Sequence, residues 1–582
     1  YYIRAKQHAE VANHAVTNAQ SGAWIGVELL RKYFESLNKN QIDSLQIGNA
    51  AIGLSGITAS IDSITPPTNS TDPYQIIATI KNVSATSKAA SSIRVLYNIV
   101  PSTSSSGGSG GGTGTTSAMD IYSDLDLSGG IKFSKNGTEK VGINVYGNFS
   151  TGGVGLTGID TLSTTGNVTV TSSAYIKNIY TNGNVTLEGS ARADLISAKG
   201  WIYTKSGGTQ GDLYADKYIN ITNGSLKNAN TLSYIDWPSG GGTAQILTAG
   251  GYVNFGSSSV NTIRAKGNVN LSTWGTVSDV MSEGKIKCVS TNWGNYTLLK
   301  AISFESCPTK NATTLPAGTD SIVATGALVT VTAPNKPLVN ALSYESQANY
   351  ILDVDSNSKP VVTVKNVDGI PSGKYYIAKY TSNNIEYIGK LCPGIDTSGF
   401  CTGTSVGYIY PPNTGSWNTV ISYSGGTWSL RDNNNQNPSL APGVFLFKGN
   451  LNPQTGKYAN AFLSTGSITY GTSIILEAPN YAGANKVCNS TGFGRPTNLC
   501  SSNTALIPAA IGNIALLAGS CTNATTAASC QATYSGGNIT LESSAKVYGN
   551  VIAGNLLNTS GDSTIVGSLL AAGLGDITQK SK

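Results

Sequence analysis

The feature that most restricts the fold is a tripeptide, Gly-Asn followed by an apolar residue, recurring through a chain of 582 residues. It stands at Gly147-Asn148-Phe149, Gly166-Asn167-Val168 and Gly183-Asn184-Val185, with spacings of 19 and 17 residues. It reappears at Gly267-Asn268-Val269, Gly449-Asn450-Leu451, Gly512-Asn513-Ile514, Gly537-Asn538-Ile539, Gly549-Asn550-Val551 and Gly554-Asn555-Leu556. Each opens a short alternating stretch, for example Val168-Thr169-Val170 or Ile539-Thr540-Leu541. Short strands between such corners are what the stacked coils of a β-solenoid require, and Gly or Asn suits corners that need φ > 0. The stretch from Asp120 to Cys288 is expected to hold about nine coils, a rod of ~40 Å at one strand spacing per coil. Between Val289 and Arg431 the motif is absent while prolines and aromatic residues are dense. The reading is a solenoid over 118–288, an inserted β domain over 289–442, and a solenoid continuation over 443–582 with Gly561 to Asp576 as last coil and cap.

Composition agrees with a β-rich chain. Gly numbers 68, charged residues are 12%, and turn-forming Gly, Asn, Ser and Thr are spread throughout. Only two histidines occur, His8 and His14, both near the N-terminus. Neither a Ser-His-Asp relay nor a multi-histidine metal site can therefore be assembled elsewhere. The net charge of +6 gives a weak mean field, sufficient only for a local basic stripe. Eight cysteines fall into four sequence-local pairs, Cys288 with Cys307, Cys392 with Cys401, Cys488 with Cys500, and Cys521 with Cys530. None forms C-x-x-C, so loop-closing disulfides and an oxidising compartment are expected.

The N-terminal hundred residues read differently. Ala12, Ala15, Val16, Ala19, Ala23, Val27, Leu30, Phe34 and Leu37 recur at steps of three and four, one stripe of an amphipathic helix over 1–37. Over 38–101, runs at Ile52 to Ile64, Tyr74 to Val83 and Ser91 to Val100 predict an antiparallel sheet that the helix covers. Residues 102–117 are almost wholly Ser, Gly and Thr, a flexible linker. No apolar run is long enough to span a membrane, and the chain opens at Tyr1 without Met, as a mature or truncated chain would.

Two stretches of this region, Ala9 to Ala23 and Tyr74 to Ile80 with Arg94-Val95-Leu96-Tyr97, resemble PilX-type minor pilins of type IV pili. The first is similar to the segment just beyond a pilin's membrane-spanning half-helix, the second to that family's closing hairpin. A large β-solenoid joined to such a module is similar to competence pilins placed at the pilus tip and implicated in binding DNA. The resemblance implies a mainly β chain with a truncated pilin-like helix and antiparallel sheet, joined to a β-solenoid carrying a disulfide-bonded insertion. It implies a non-enzymatic subunit, anchored in the inner membrane through a preceding half-helix until assembly, then extracellular at or near the pilus tip. Ala12, Ala15, Val16, Ala19, Ala23, Val27 and Leu30 would pack against other minor pilins and the fibre. The expected ligands are DNA during natural transformation, or a surface, host glycan or host protein in adhesion.

The sequence offers three candidate chemistries. Lys177, Arg192, Lys199, Lys205, Lys217, Lys227, Arg264 and Lys266 could form a basic ladder for phosphates, interleaved with Tyr175, Tyr180, Trp201, Tyr203, Tyr214 and Tyr218. Lysines also simply solubilise exposed strands. Asp353, Asp355 and Asn357 begin like a calcium loop, but Ser358 stands where Gly is needed and Val364 where Glu is needed, so a hairpin turn is the competing reading and no metal or other cofactor is assigned. A polysaccharide-processing β-helix enzyme would draw on Asp160, Glu188, Asp194, Asp212, Asp216, Asp236, Asp279 and Glu283, among which no pair carries a partner suited to catalysis. A secreted or autotransporter-like adhesin with the rod as spacer is the other alternative.

Overall fold

The computed structural model describes residues 45–50, 57–66, 74–83, 90–99, 118–128, 132–133, 141–152, 156–256, 259–273, 275–289, 295–382, 384–410, 420–431, 439–472, 474–507, 509–521, 529–530, 533–561, 563–573 and 575–578, with Leu30, Phe34 and Ile42. The chain divides into two units, Tyr1–Thr115 and Thr116–Lys582. In the first, Gly48–Ala50, Ile57–Thr65, Tyr74–Val83 and Ala90–Ile99 form a four-stranded antiparallel meander in sequence order. Leu30, Phe34 and Ile42 are helical and fully buried in one cluster with Ile61, Ile76, Ala78 and Ile80. The rest of the expected helix, including Ala12, Ala15, Val16, Ala19, Ala23 and Val27, lies outside the described residues, as does the 102–117 linker.

The second unit is a β-solenoid, with about 22 turns along the chain. Each coil of its regular part has a long strand, a tight corner and a three-residue strand, as in Ile176–Thr181 followed by Val185–Leu187. Equivalent strands of successive coils pair in parallel, which repeats the same inward position at every level. Leu162, Ile179, Ile196, Leu213, Ala229, Leu247, Ile263 and Val280 thus form one continuous column, none more than 1% exposed. Alternation along the short strands, buried–partly exposed–buried, is the period-two pattern of a strand with one wet face.

The corners explain the tripeptide, through positive φ at Gly449 and Gly549 and through close approach elsewhere. Gly147, Gly166, Gly183 and Gly267 are absent from the positions with φ > 0. What excludes a side chain is the coil beneath: a Cβ on Gly183 would meet the Gly166 carbonyl at 2.4–2.5 Å and the Asn167 nitrogen at 2.7 Å. The Asn that follows is a coil-to-coil cap. Its Oδ1 accepts the backbone N–H of the next coil's equivalent residue, from Asn148 to Asn167 at 2.8 Å, Asn167 to Asn184 at 2.9 Å and Asn184 to Trp201 at 3.0 Å. Just before these corners, Thr181, Thr231 and Ser282 turn buried hydroxyls onto the glycine or serine two residues on, fixing the bend.

The order of coils in space is not the order in sequence. The chain joins the rod at Met119–Ile121, at mid-length, and winds one way through Asn295–Glu305 to Ala312–Thr314. Residues 315–340 then run back along the rod as an extended strap. The second half winds from Tyr350–Val354 through Gly443–Phe447, Asn460–Ser464, Ile514–Ala518 and Asn550–Ala553 to Leu569–Ala571, which pairs with Met119–Ile121. From Ser282 the equivalent position steps through Ala265, Ala249, Thr231, Ala215, Ala198, Thr181, Thr164, Val145, Ile121, Ala571 and Ala553 to Ala518, twelve coils down. The expected continuation over 443–582 therefore stacks on the opposite side of Met119 from the coils of 141–288. The segment 561–576, expected as a cap, forms part of an internal coil.

The region expected as an inserted domain is not a separate body. Asn295–Glu305 is a further coil, and Tyr350–Val354 and Thr427–Arg431 pair in parallel with solenoid strands. Antiparallel strands Pro360–Val364, Gly373–Ser382 and Ile385–Cys392 extend the sheet from Tyr350–Val354, with Val362, Val364, Ile377 and Leu391 in the same buried core. In this half the long strands are buried on both faces, because Val487, Leu499, Cys500 and Ile511 cover Leu446, Leu463 and Leu517 from outside. All four expected disulfides are formed, Cys288–Cys307, Cys392–Cys401, Cys488–Cys500 and Cys521–Cys530.

Backbone lies on the far side of Gly183, so nothing there can yield to a methyl group. Gly183→Ala is expected to destabilise the chain by about 1–3 kcal/mol, whereas Gly241→Ala, with nothing within 4 Å of its Cβ, should leave the midpoint of denaturant unfolding unchanged.

Candidate functional site

The outward side chains of the rod sort into three sets: carboxylates, cations and aromatic rings. Every carboxylate named from the sequence is engaged. Asp160, Glu188 and Asp212 take Lys177, Lys205 and Lys227 of the next coil at 3.1, 3.3 and 3.4 Å, and Asp279 takes Arg264 of the preceding one. Asp194 accepts from the Tyr175 hydroxyl at 2.8 Å and Asp236 from the Asn254 amide at 3.0 Å. Asp216 and Glu283 accept backbone N–H groups of the strap at Ala327 and Ile322, both at 2.7 Å. Among the described residues no group of three His, Cys, Asp or Glu is placed to hold a metal. Asp353 pairs with Lys448 at 3.0 Å, while one Asp355 oxygen closes a hairpin turn by accepting from the N–H groups of Asn357 and Lys359.

The eight candidate cations are largely spent on the same ties. Lys177, Lys205, Lys227 and Arg264 are paired as above, and Lys266 meets Asp320 of the strap at 2.6 Å. Arg192 lies over the Tyr175 ring, 5.7 Å from its centroid. Lys199 and Lys217 have no ion pair among the described residues. No continuous positive ladder results, and exposed pairs of this kind add at most about 1 kcal/mol each.

The rings give a different picture. At the corner position held by Asn148, Asn167 and Asn184 below and by Asn268 above, four successive coils carry Trp201, Tyr218, Tyr234 and Tyr252. They stack with centroid separations of 6.0, 4.9 and 4.6 Å and planes within 10° of parallel. Tyr252 is 37% exposed and the other three are partly exposed. Desolvation, then the neighbouring phenols and Asp236, raise the pKa of Tyr234 and Tyr252, so both hydroxyls are protonated donors at neutral pH. Tyr203 adds an edge contact to Trp201 at 6.4 Å with the Lys205 ammonium 4.9 Å from its centroid. Lys199 and Lys217 stand on the same corner.

Stacked rings at coil spacing cover one another's faces. An intercalating base or sugar needs about 7 Å between ring planes, twice a carbon–carbon contact. The stack therefore presents ring edges and hydroxyls rather than the ring faces between its members. Of the four rings the sequence reading included Trp201 and Tyr218, and not Tyr234 and Tyr252. The available signal was positional: each immediately precedes an apolar-x-apolar short strand, the place Asn holds elsewhere.

At the far end of the first half, Lys285 and Lys287 approach Glu305 at 2.5 and 2.6 Å. Their hydrogen bonds push its carboxyl down from 4.5 to about 2. A depressed acid contributes stability above its unfolded pKa and loses it as pH falls through the folded one. Glu305 is thus expected to stay ionised at pH 3.5 in an NMR titration, and K285A with K287A should move its midpoint toward 4.5. No protein family matches this chain, and no curated protein or solved structure matches it either.

Proposed function

We propose that this chain is a non-enzymatic cell-surface binding protein of the minor-pilin kind, its solenoid a stiff head that mediates adhesion. The observation that carries the reading is how the rod's polar groups are used. Carboxylates that an enzyme would need are tied to neighbouring coils or to the strap, and five of the eight candidate cations are paired with acids. What stands out on the surface is a corner of stacked aromatic edges with phenol donors and two unpaired lysines. Rigid aromatic groups that lose little conformational freedom are the usual anchors of recognition surfaces. Four disulfides agree with an oxidising location. Burial of Leu30 and Phe34 against an antiparallel sheet agrees with the pilin resemblance, in which the helix also meets other minor pilins and the fibre and the head sits at the pilus tip. Adhesion is favoured over DNA capture because an unneutralised phosphate ladder is missing from the described face.

The test compares retention of the purified chain on host-cell glycoproteins and on an abiotic surface with that of a variant carrying W201A, Y218A, Y234A and Y252A. Retention is expected to fall at least tenfold with the fold intact by circular dichroism. An unchanged variant would overturn the assignment of the corner. A salt titration with double-stranded DNA is expected to give no affinity above the non-specific range of about 10⁻⁴–10⁻⁶ M. A steep salt slope lost in K199A/K217A would restore the DNA reading.

A further inference from the structure

Successive coils are joined everywhere by the chain itself, except at one level. Between Leu569–Ala571 and Met119–Ile121 no covalent link accompanies the strand pairing and shared core, Leu569 N–H donating to Ala118 O and Tyr122 N–H to Ala571 O, both at 2.8 Å. The short strands at this level, Gly575–Thr578 and Leu125–Ser128, pair in parallel in the same way. The covalent path across this seam is the 315–340 strap.

That strap is held by cleats. Glu283, Asn230, Asp216, Ser197 and Asn182 each accept a backbone N–H from it, at Ile322, Thr325, Ala327, Leu328 and Val331. Beyond the seam it is fixed again, Ala341 N–H donating to Gly519 O at 2.8 Å with Val339 buried. Between these anchorages, Thr332, Ala333, Asn335 and Lys336 are exposed. The nineteen residue steps from Ile322 to Ala341 can reach about 65 Å at full extension. The twelve coils they pass rise ~58 Å. The strap is close to taut.

We infer that the seam is a joint at which the rod opens, and that the strap is a tie limiting the opening to about the rise of one or two coils. Two consequences are measurable by amide hydrogen exchange on the full chain. In the unaltered protein the Tyr122 and Leu569 amides exchange at least tenfold faster than the coil-to-coil amides of Gly166 and Asn182. Lengthening the strap by six Gly/Ser residues between Asn335 and Lys336 raises exchange at Tyr122 and Leu569 a further tenfold or more and leaves Gly166 and Asn182 unchanged. The same six residues inserted at the exposed Gly241 have no such effect. Seam amides as protected as interior ones, or a strap insertion that raises exchange equally along the rod, would overturn the inference.

Discussion

Parallel pairing between equivalent strands of successive coils is the constraint on which everything else rests. Because register repeats at every level, one inward residue type becomes a column and one outward type becomes a ladder. Backbone N–H groups at the corners, which no strand partner reaches, are then met by side chains repeated at the same pitch. The corner Asn supplies those N–H groups with a partner held in place by the stacking, so its role is to cap the backbone from coil to coil. The same repetition gives the rod its surface chemistry, since whatever replaces Asn over several coils is presented as a stack.

Much of this was legible in the sequence. The tripeptide announced coils, the short alternating strands announced their walls, and the sequence-local cysteines paired as spaced. The corner glycines have two physical reasons: positive φ at Gly449 and Gly549, as expected, and at Gly166 and Gly183 the close approach of the preceding coil's carbonyl, which excludes a Cβ. Lys177 with Asp160 and Lys205 with Glu188 are each 17 residues apart. Read as separate lists of bases and acids, they looked like a ladder and a scatter, and read at coil spacing they neutralise each other.

Two features were hidden for structural reasons. Local patterns are the same whichever coil stacks on which, so nothing near Leu569 or Met119 signals that they are neighbours. The strap has no periodicity of its own, because an extended segment hydrogen-bonded to side chains has no sheet partner to impose alternation. Pro316, Pro334 and Pro337, which lack an N–H, were its trace and were absorbed into the expectation of an inserted β domain.

A rod completed at its middle has a consequence for how it is made. During synthesis the earliest coil, at Met119–Ile121, waits with one bare strand edge until Leu569–Ala571 has been made. That edge is met by Leu569–Ala571 and Gly575–Thr578, which lie far later in the chain. Any prematurely ended product keeps an unpaired, aggregation-prone rim at its centre. The arrangement thus makes closure of the rod at Met119 depend on synthesis having passed Thr578, and the edge left bare until then is the one that the closed rod conceals.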